Sequence, residues 1–129
     1  MQFNLKIVTP DRKFFEGDVD KLIVKGIEGD FAVLPNMSPF VTRTKIHKMK
    51  IYQDDKILMA AVTDGYIDVR NNQVIMAANA CEWPDEIDIT RAEDAKKRAE
   101  ERLQMKDEID VLRAEASLRR AINRLSLLK

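Results

Sequence analysis

Arginines recur at a fixed spacing in the last third of the chain. Three of them reappear 22 residues later, and the pairs are Arg91 and Arg113, Arg98 and Arg120, and Arg102 and Arg124. A guanidinium binds phosphate or carboxylate oxygens through paired, charge-assisted hydrogen bonds. Guanidiniums drawn into one space repel one another unless an anion lies between them. The spacing therefore indicates a segment that binds a polyanion such as a triphosphate, or an acidic partner.

Two helices are needed to place these arginines. Arg91 and Arg98 are separated by two helical turns, which puts them on one face of a helix. An Ile-Asp pair precedes each copy of the repeat, at Ile87-Asp88 and at Ile109-Asp110. Neither copy has a core of its own, so the polar stretch 104–108 between them predicts the turn of an antiparallel helical hairpin.

Apolar positions and a capping pattern predict where these helices pack and begin. Small side chains on the first helix allow a close approach, and they are Ala92, Ala95 and Ala99. The second helix has an apolar stripe formed by Leu118, Ala121, Ile122, Leu125 and Leu128. Thr90 is predicted as the N-cap of the first helix, because Glu93 three residues later completes a capping box.

The tail is polarised in charge, although the whole chain of 129 residues has a formal net charge of zero. Residues 111–129 contain five basic residues and a single acid, Glu115. Arginines of the first helix have acids one turn away, and each such pair contributes only ~0.3–0.5 kcal/mol. The second helix has almost no such acids, so Arg119, Arg120 and Arg124 are expected to meet an anion or an acidic partner.

The first eighty residues have the pattern of short β-strands. Strands are predicted over residues 2–9, 19–24, 29–34, 40–44, 48–52, 56–62, 66–69 and 74–80. Turn residues separate them roughly every 8–12 residues, as in a sandwich or barrel. The predicted fold class is α+β overall, with an all-β sandwich (flattened barrel) in residues 1–84 and a C-terminal antiparallel two-helix hairpin in residues 85–129.

Nothing in the strand region has the pattern of a catalytic centre. His47 has no recognisable partner, and Cys81 lacks the spacing of a metal ligand. Gly26-Ile-Glu-Gly29 is typical of a turn, because no helix follows it to form a phosphate loop. We therefore expect no catalytic residue and no metal site.

Compartment and partner class are constrained by what the sequence lacks. The start of the chain has no signal-peptide pattern, and no stretch approaches the ~20 apolar residues of a membrane helix. A single cysteine excludes an intrachain disulfide and favours a reducing compartment. Residues 84–129 contain no aromatic side chain, which disfavours nucleic-acid binding by the basic helix. We expect a soluble cytoplasmic protein without direct membrane insertion.

Several motifs, taken in order along the chain, carry a family resemblance. They are Ile7-Val-Thr-Pro-Asp11, Gly29-Asp-Phe-Ala-Val-Leu-Pro35 with Ser38-Pro39 after it, and Ile87-Asp-x-x-Arg-Ala92. Over essentially its full length the chain resembles the epsilon subunit of bacterial F-type ATP synthase. It departs from that family at Trp83-Pro84, and its interhelical loop is slightly shorter than in the ATP-binding members.

The resemblance implies a non-catalytic, central-stalk subunit of a rotary motor that couples proton or sodium flow to ATP synthesis. Residues 1–84 would bind the gamma subunit and contact the c-ring. Residues 85–129 would permit turnover when folded down; extended along gamma, they would reach the alpha and beta subunits and inhibit ATP hydrolysis. The implied location is peripheral, on the cytoplasmic face of the bacterial plasma membrane.

In some members of that family the folded hairpin binds regulatory ATP, and no other cofactor is implied. Carried over by position, the ATP site would consist of Glu82, Ile87, Asp88, Arg91, Ala92, Arg98, Arg120 and Arg124. The inhibitory contact would use Arg113, Arg119, Arg120 and Arg124. The sequence leaves open an alternative function, a free-standing nucleotide-responsive binding module with no larger machine.

Overall fold

The computed structural model describes residues 1–104 and 108–128, with side chains described over 1–103 and 112–128. The chain divides into two compact units, Met1–Glu82 and Trp83–Lys129. The centre of the predicted interhelical turn lies outside the described residues. The side chains of Ile109 and Asp110 also lie outside that range.

The first unit consists of ten β-strands. Their bounds are β1 Phe3–Val8, β2 Lys13–Val19, β3 Lys21–Gly26, β4 Gly29–Val33, β5 Phe40–Thr44, β6 His47–Gln53, β7 Lys56–Val62, β8 Gly65–Arg70, β9 Gln73–Ala78 and β10 Cys81–Glu82. Strand β1 shows why the pattern predicts strands. Phe3, Leu5 and Ile7 are buried, while Asn4 and Lys6 between them are exposed, because successive side chains of a strand point to opposite faces.

The strands hydrogen-bond in the order β10-β7-β6-β3-β5-β8-β9-β1-β2, and β4 pairs with β3. Strands β1 and β9 run parallel, whereas the other pairs in this unit are antiparallel. The sheet folds over on itself into a nearly closed sandwich. The all-β sandwich predicted for this part of the chain is therefore confirmed.

The core of the sandwich consists of large aliphatic side chains. The seven largest side chains without exposed surface are Leu5, Ile7, Leu22, Met49, Ile51, Ile67 and Met76. Full burial of each such side chain contributes ~1.5–3 kcal/mol relative to leaving it in water. This unit therefore buries a core of its own.

Two strands are not predicted by the sequence pattern, the two-residue strand β10 and the longer strand β2. The segment of β2 contains Glu16, Gly17 and Asp18, residue types that are depleted in strands. The strand nevertheless pairs with β1 over its whole length, and it buries Phe14 and Val19. Pairing with an existing strand outweighs the weak local preference.

The second unit contains a short 3-10 turn, Pro84–Glu86, and two helices, α1 Ile89–Gln104 and α2 Glu108–Leu127. The helices pack against each other, which confirms the predicted two-helix hairpin. Four alanines are buried, seven residues apart on each helix, and they are Ala92 and Ala99, and Ala114 and Ala121. Side chains at this spacing share one helical face, so the hairpin packs on small side chains.

Two details of the predicted hairpin are wrong. Ile122 was assigned to the packed stripe of the second helix, but its side chain is 45% exposed. The N-cap of α1 is Asp88 rather than Thr90, because Asp88 Oδ1 accepts a hydrogen bond of 3.1 Å from the Arg91 N–H. Asp88 meets the first free N–H groups of the helix, so Thr90 falls inside the first turn.

Candidate anion-binding surface of the helical unit

Arg91 and Arg98 lie along one exposed face of α1, as their spacing predicts. Both line an open depression on that helix, together with Asp88, Thr90, Asp94, Lys97 and Glu101. The lining is mixed in charge, with three cations and three carboxylates. The structure therefore brings three of the predicted ATP-site residues, Asp88, Arg91 and Arg98, to one surface.

Arg91 and Arg98 have no acidic partner among the residues whose side chains are described. Ion pairs that the structure does show, Lys13 with Glu16 and Arg70 with Asp68, belong to the β-sandwich. No such pair involves Arg91 or Arg98, although acids lie one turn away on the same helix. The alternative in which neighbouring acids satisfy these arginines is thus not what the folded helix shows.

The arginines of α2 differ in exposure. Arg113 and Arg119 are exposed, whereas Arg120 and Arg124 are half-buried. Arg120 Nη2 donates a hydrogen bond of 3.1 Å to Ser117 Oγ, a neutral acceptor one turn away on the same helix. Arg124 also interacts with neighbouring groups. The four cations of α2 therefore form two classes, two directed to solvent and two held against the protein.

Three of the predicted ATP-site residues have structural roles in the start of α1. Asp88 caps the helix, and its carbonyl oxygen also accepts the Ala92 N–H at 2.9 Å. Ile87 and Ala92, 8% and 4% exposed, occupy the positions just before the cap and four residues into the helix. Apolar residues at these two positions form a hydrophobic staple, which fixes how the chain enters a helix.

Glu82 is placed differently from the other predicted site residues. It is half-buried and ends strand β10, so it is the last residue of the first unit. Its backbone pairs with Ala61 of β7. The remaining seven predicted residues belong to the second unit.

His47 and Cys81 are both buried, at 6% and 4% exposure. Each pairs with Val62 from opposite sides of strand β7. Burial raises the pKa of the Cys81 thiol to about 12, so the reactive thiolate is scarce at neutral pH. Burial also lowers the pKa of His47, although the neighbouring Lys45 carbonyl opposes that shift. Both groups are uncharged members of the core.

Among the side chains described, those of residues 1–103 and 112–128, no set of three or more His, Cys, Asp or Glu is arranged to hold a metal ion. Neither helix, over its described residues, is long and apolar enough to cross a membrane.

Sequence reasoning missed the hydrogen-bonded turn that precedes α1. Trp83 N–H donates to Glu86 Oε1 at 2.9 Å, and Glu86 N–H donates to the Trp83 carbonyl oxygen at 3.0 Å. Pro84 occupies the first position of this turn, where the missing N–H of proline costs nothing. The signal was present, since a proline followed two residues later by Glu is a capping pattern.

The comparisons with known proteins cover both units. A family model described as "ATP synthase, Delta/Epsilon chain, beta-sandwich domain" matches residues 2–84, and one described as "ATP synthase, Delta/Epsilon chain, long alpha-helix domain" matches residues 85–129. The ATP synthase epsilon chain of Pelotomaculum thermopropionicum is 51% identical over 102 residues, 79% of this chain and 76% of the relative. That of Alkaliphilus metalliredigens is 46% identical over 103 residues, 80% and 77% of the two chains.

A solved structure has a similar fold at low sequence identity. It is a chain of the Euglena gracilis mitochondrial ATP synthase, in a structure of the OSCP/F1/c-ring, with a TM-score of 0.87. The match covers 99% of this chain and 82% of that one at 19% identity, so it supports the fold alone.

Fold and sequence matches together define a class, a β-sandwich domain followed by a long helical domain. Both domains of the class are matched in order along this chain. The chain belongs to the ATP synthase delta/epsilon chain family, and the two bacterial relatives above are both epsilon chains.

Proposed function

We propose that this chain is a non-catalytic epsilon subunit in the central stalk of an F-type ATP synthase that pumps protons or sodium ions. The observation that carries the proposal is the family match over both domains, together with 51% identity to a bacterial epsilon chain. In this role the β-sandwich binds the gamma subunit and contacts the c-ring. The subunit is then peripheral to the cytoplasmic face of the plasma membrane, without inserting into it.

Co-purification from the native host tests this proposal. A tagged copy of the chain should recover a membrane-bound ATPase containing alpha, beta, gamma and c subunits. A copy carrying Ile75→Asp, which places a charge on a half-exposed position of the sandwich surface, reports whether that surface contributes to assembly. Recovery of the chain alone from solubilised membranes would support the free-standing nucleotide-responsive module instead.

The helical unit is the regulatory part of the proposed subunit. Support comes from its separate compactness and from the four alanines that are the most deeply buried of its described residues. Deleting residues 85–129 should leave the sandwich folded and assembled with gamma, and ATP hydrolysis by the complex should rise. Loss of assembly on deletion would show that the helical unit is needed for binding rather than regulation.

We propose Arg113, Arg119, Arg120 and Arg124 as the residues through which the extended hairpin contacts acidic segments of the catalytic head. Support comes from the exposure of Arg113 and Arg119, since charges at the rim of an interface steer association. Replacing both by Ala should relieve inhibition. Each single replacement is compared with Arg102→Ala on α1, which removes one exposed cation outside the depression. Unchanged inhibition in the double variant would exclude charge as the docking determinant.

Regulatory ATP is the proposed ligand of the helical unit in its folded state. Arg91, Arg98, Arg120 and Arg124 would bind the phosphates, and Glu82, Ile87, Asp88 and Ala92 would lie nearer the base and ribose. Support comes from the two exposed arginines that share a depression with Asp88 and have no acidic partner among the described residues. A triphosphate supplies the charge that these guanidiniums lack.

Trp83 provides a label-free test of ATP binding, because it is the only tryptophan and it directly follows Glu82. Its emission should change when ATP is titrated into the isolated chain. Arg98→Ala should abolish the change, whereas Arg102→Ala, an exposed arginine of the same helix outside the depression, should retain it. Absence of any change in emission or thermal stability at millimolar ATP would contradict the proposed ATP site, but it would not affect the proposed central-stalk function.

A further inference from the structure

We propose that residues 83–88, named here the junction turn, form a rigid extension of helix α1, so that motion between the two units is confined to the rotatable bonds that flank one peptide, Glu82 ψ and Trp83 φ. This inference bears on how the proposed regulatory movement occurs, and it rests on that proposed function only for its consequence. A connection between two mobile domains is ordinarily an exposed, flexible linker with few contacts of its own. The junction turn differs from such a linker in three respects.

The first respect is hydrogen bonding. Trp83 N–H donates a hydrogen bond of 2.9 Å to Glu86 Oε1, and Glu86 N–H donates one of 3.0 Å to the Trp83 carbonyl oxygen. Ile87 N–H donates a third, of 3.3 Å, to the Pro84 carbonyl oxygen. Pro84 has no N–H to satisfy. The backbone N–H groups at the ends of the turn therefore form hydrogen bonds within the turn itself. A flexible linker lacks such internal hydrogen bonds.

The second respect is the direct continuation into α1. Ile87 is extended at its C-cap position, with φ −82° and ψ 123°, and Asp88 follows as the N-cap of the helix. Ile87 and Ala92 are both buried and occupy the staple positions on either side of that cap. No unbonded residue therefore separates the turn from the helix.

The third respect is where the chain divides. The boundary between the compact units falls between Glu82 and Trp83 rather than at the first residue of α1. Glu82 belongs to the sandwich, since its backbone pairs with Ala61. Pro84 fixes its own φ and restricts Trp83 to extended conformations, and Trp83 has φ −74° and ψ 158°. Within the turn these restraints hold Pro84 φ and Trp83 ψ. Because the peptide bond itself is planar, the joint consists of the two rotatable bonds on either side of it, Glu82 ψ and Trp83 φ.

The consequence is that helix α1 and the junction turn reorient as one body. A single joint permits fewer directions of movement than a six-residue flexible linker, so the turn limits where α1 can point.

Native-state hydrogen exchange on the full chain, followed by NMR, tests this inference. The amides of Trp83, Glu86 and Ile87 should be protected and should share the denaturant dependence of Arg91 and Ala92 in α1, because one cooperative unit opens together. The amides of Thr63 and Ala80, which hydrogen-bond within the sandwich, should follow a different dependence. Exchange of Trp83 and Glu86 at unprotected rates, or together with Thr63 and Ala80, would overturn the inference, as would one common dependence for all of these amides.

A pair of variants identifies the side chain responsible. Glu86→Ala removes the acceptor and should accelerate exchange at Trp83 by about 5–10-fold, the effect of one net hydrogen bond, with a smaller effect at Arg91. Asp85→Ala alters the exposed neighbouring acid of the same turn and should leave exchange at Trp83 unchanged. Equal effects of the two variants would show that the Glu86 carboxylate does not hold the turn. All these measurements use the isolated protein, so their failure is distinguishable from a failure of co-purification.

Discussion

The β-sandwich and the helical hairpin are stabilised by different kinds of side chain. The sandwich buries large aliphatic residues such as Leu22 and Ile51 without any exposed surface, whereas the closest packed positions of the hairpin are alanines such as Ala99 and Ala121. Burial of apolar area stabilises a fold roughly in proportion to that area. The fully buried side chains of the sandwich are mostly large, while those of the hairpin are alanines, each of which contributes less buried apolar area. A unit with a low cost of opening is suited to change its conformation.

The largest expected effect is the loss of a core side chain from the sandwich. Leu22→Ala should lower the free energy of unfolding of this unit by about 2–5 kcal/mol, because it removes buried methyl groups and leaves a cavity. Chemical denaturation followed through amide signals of the sheet measures this change. Ile57→Ala, at a position 55% exposed, is the control and should stay within about 0.5 kcal/mol of the parent. Similar losses at both positions would contradict the stated core.

The hairpin should respond in the opposite direction to side-chain size. Ala121→Leu should destabilise the packed helices by about 1–3 kcal/mol, since no space exists for the added carbons. Far-UV circular dichroism during thermal unfolding would show a lower midpoint for the helical transition. Ala116→Leu, at a half-buried position of the same helix, should be tolerated. If the Ala121 variant were the more stable of the two, close packing on alanine would be refuted.

A pH-dependent loss of stability is expected for the sandwich. His47 has a lowered pKa because it is buried, so near its ordinary value of about 6.5 the unfolded chain binds more protons than the folded one. The stabilisation is complete above that value and is lost as pH falls toward the folded-state pKa, with a slope of at most about 1.4 kcal/mol per pH unit. Denaturation at several pH values should show this slope, and His47→Gln should remove it. An unchanged slope in the variant would assign the titration to other groups.

The smallest effect in this series concerns the start of α1. Asp88→Ala should cost the helical unit about 1 kcal/mol, the usual contribution of an N-cap, with no effect on sheet amides. Thr90→Ala should be close to neutral, because Thr90 lies within the first turn. Thermal unfolding of both variants, monitored by circular dichroism, compares the two positions directly. A greater loss of stability in Thr90→Ala than in Asp88→Ala would identify Thr90 as the N-cap.

Sequence periodicity was sufficient for most of the elements but not for all. Alternation in segments such as residues 2–9 and 48–52 predicts β1 and β6, since half-buried strands repeat every two residues. Strand β2 has no such signal, and it forms because β1 offers a partner edge. Likewise both Asp88 and Thr90 are good capping residues, and the choice between them depended on where the buried residue Ile87 anchors the chain.

The positions of the arginines could be predicted in part from helical periodicity. The repeat places Arg91 and Arg98 on one helical face, and the folded helix shows them exposed along one depression. Local spacing cannot specify which of the second helix's arginines turn toward the protein. That depended on the packing of α2, which leaves Arg113 and Arg119 exposed and holds Arg120 beside Ser117.

The sequence by itself determined most of the strands, the helical hairpin and the family, because these follow from local periodicity, turn residues and motifs. Tertiary structure alone decided the pairing of β2, the parallel contact of β1 with β9 and the helix cap. It also decided which arginines remain exposed. Each of these features depends on a partner distant in sequence or on competition between nearby groups. Local sequence preferences therefore do not predict them.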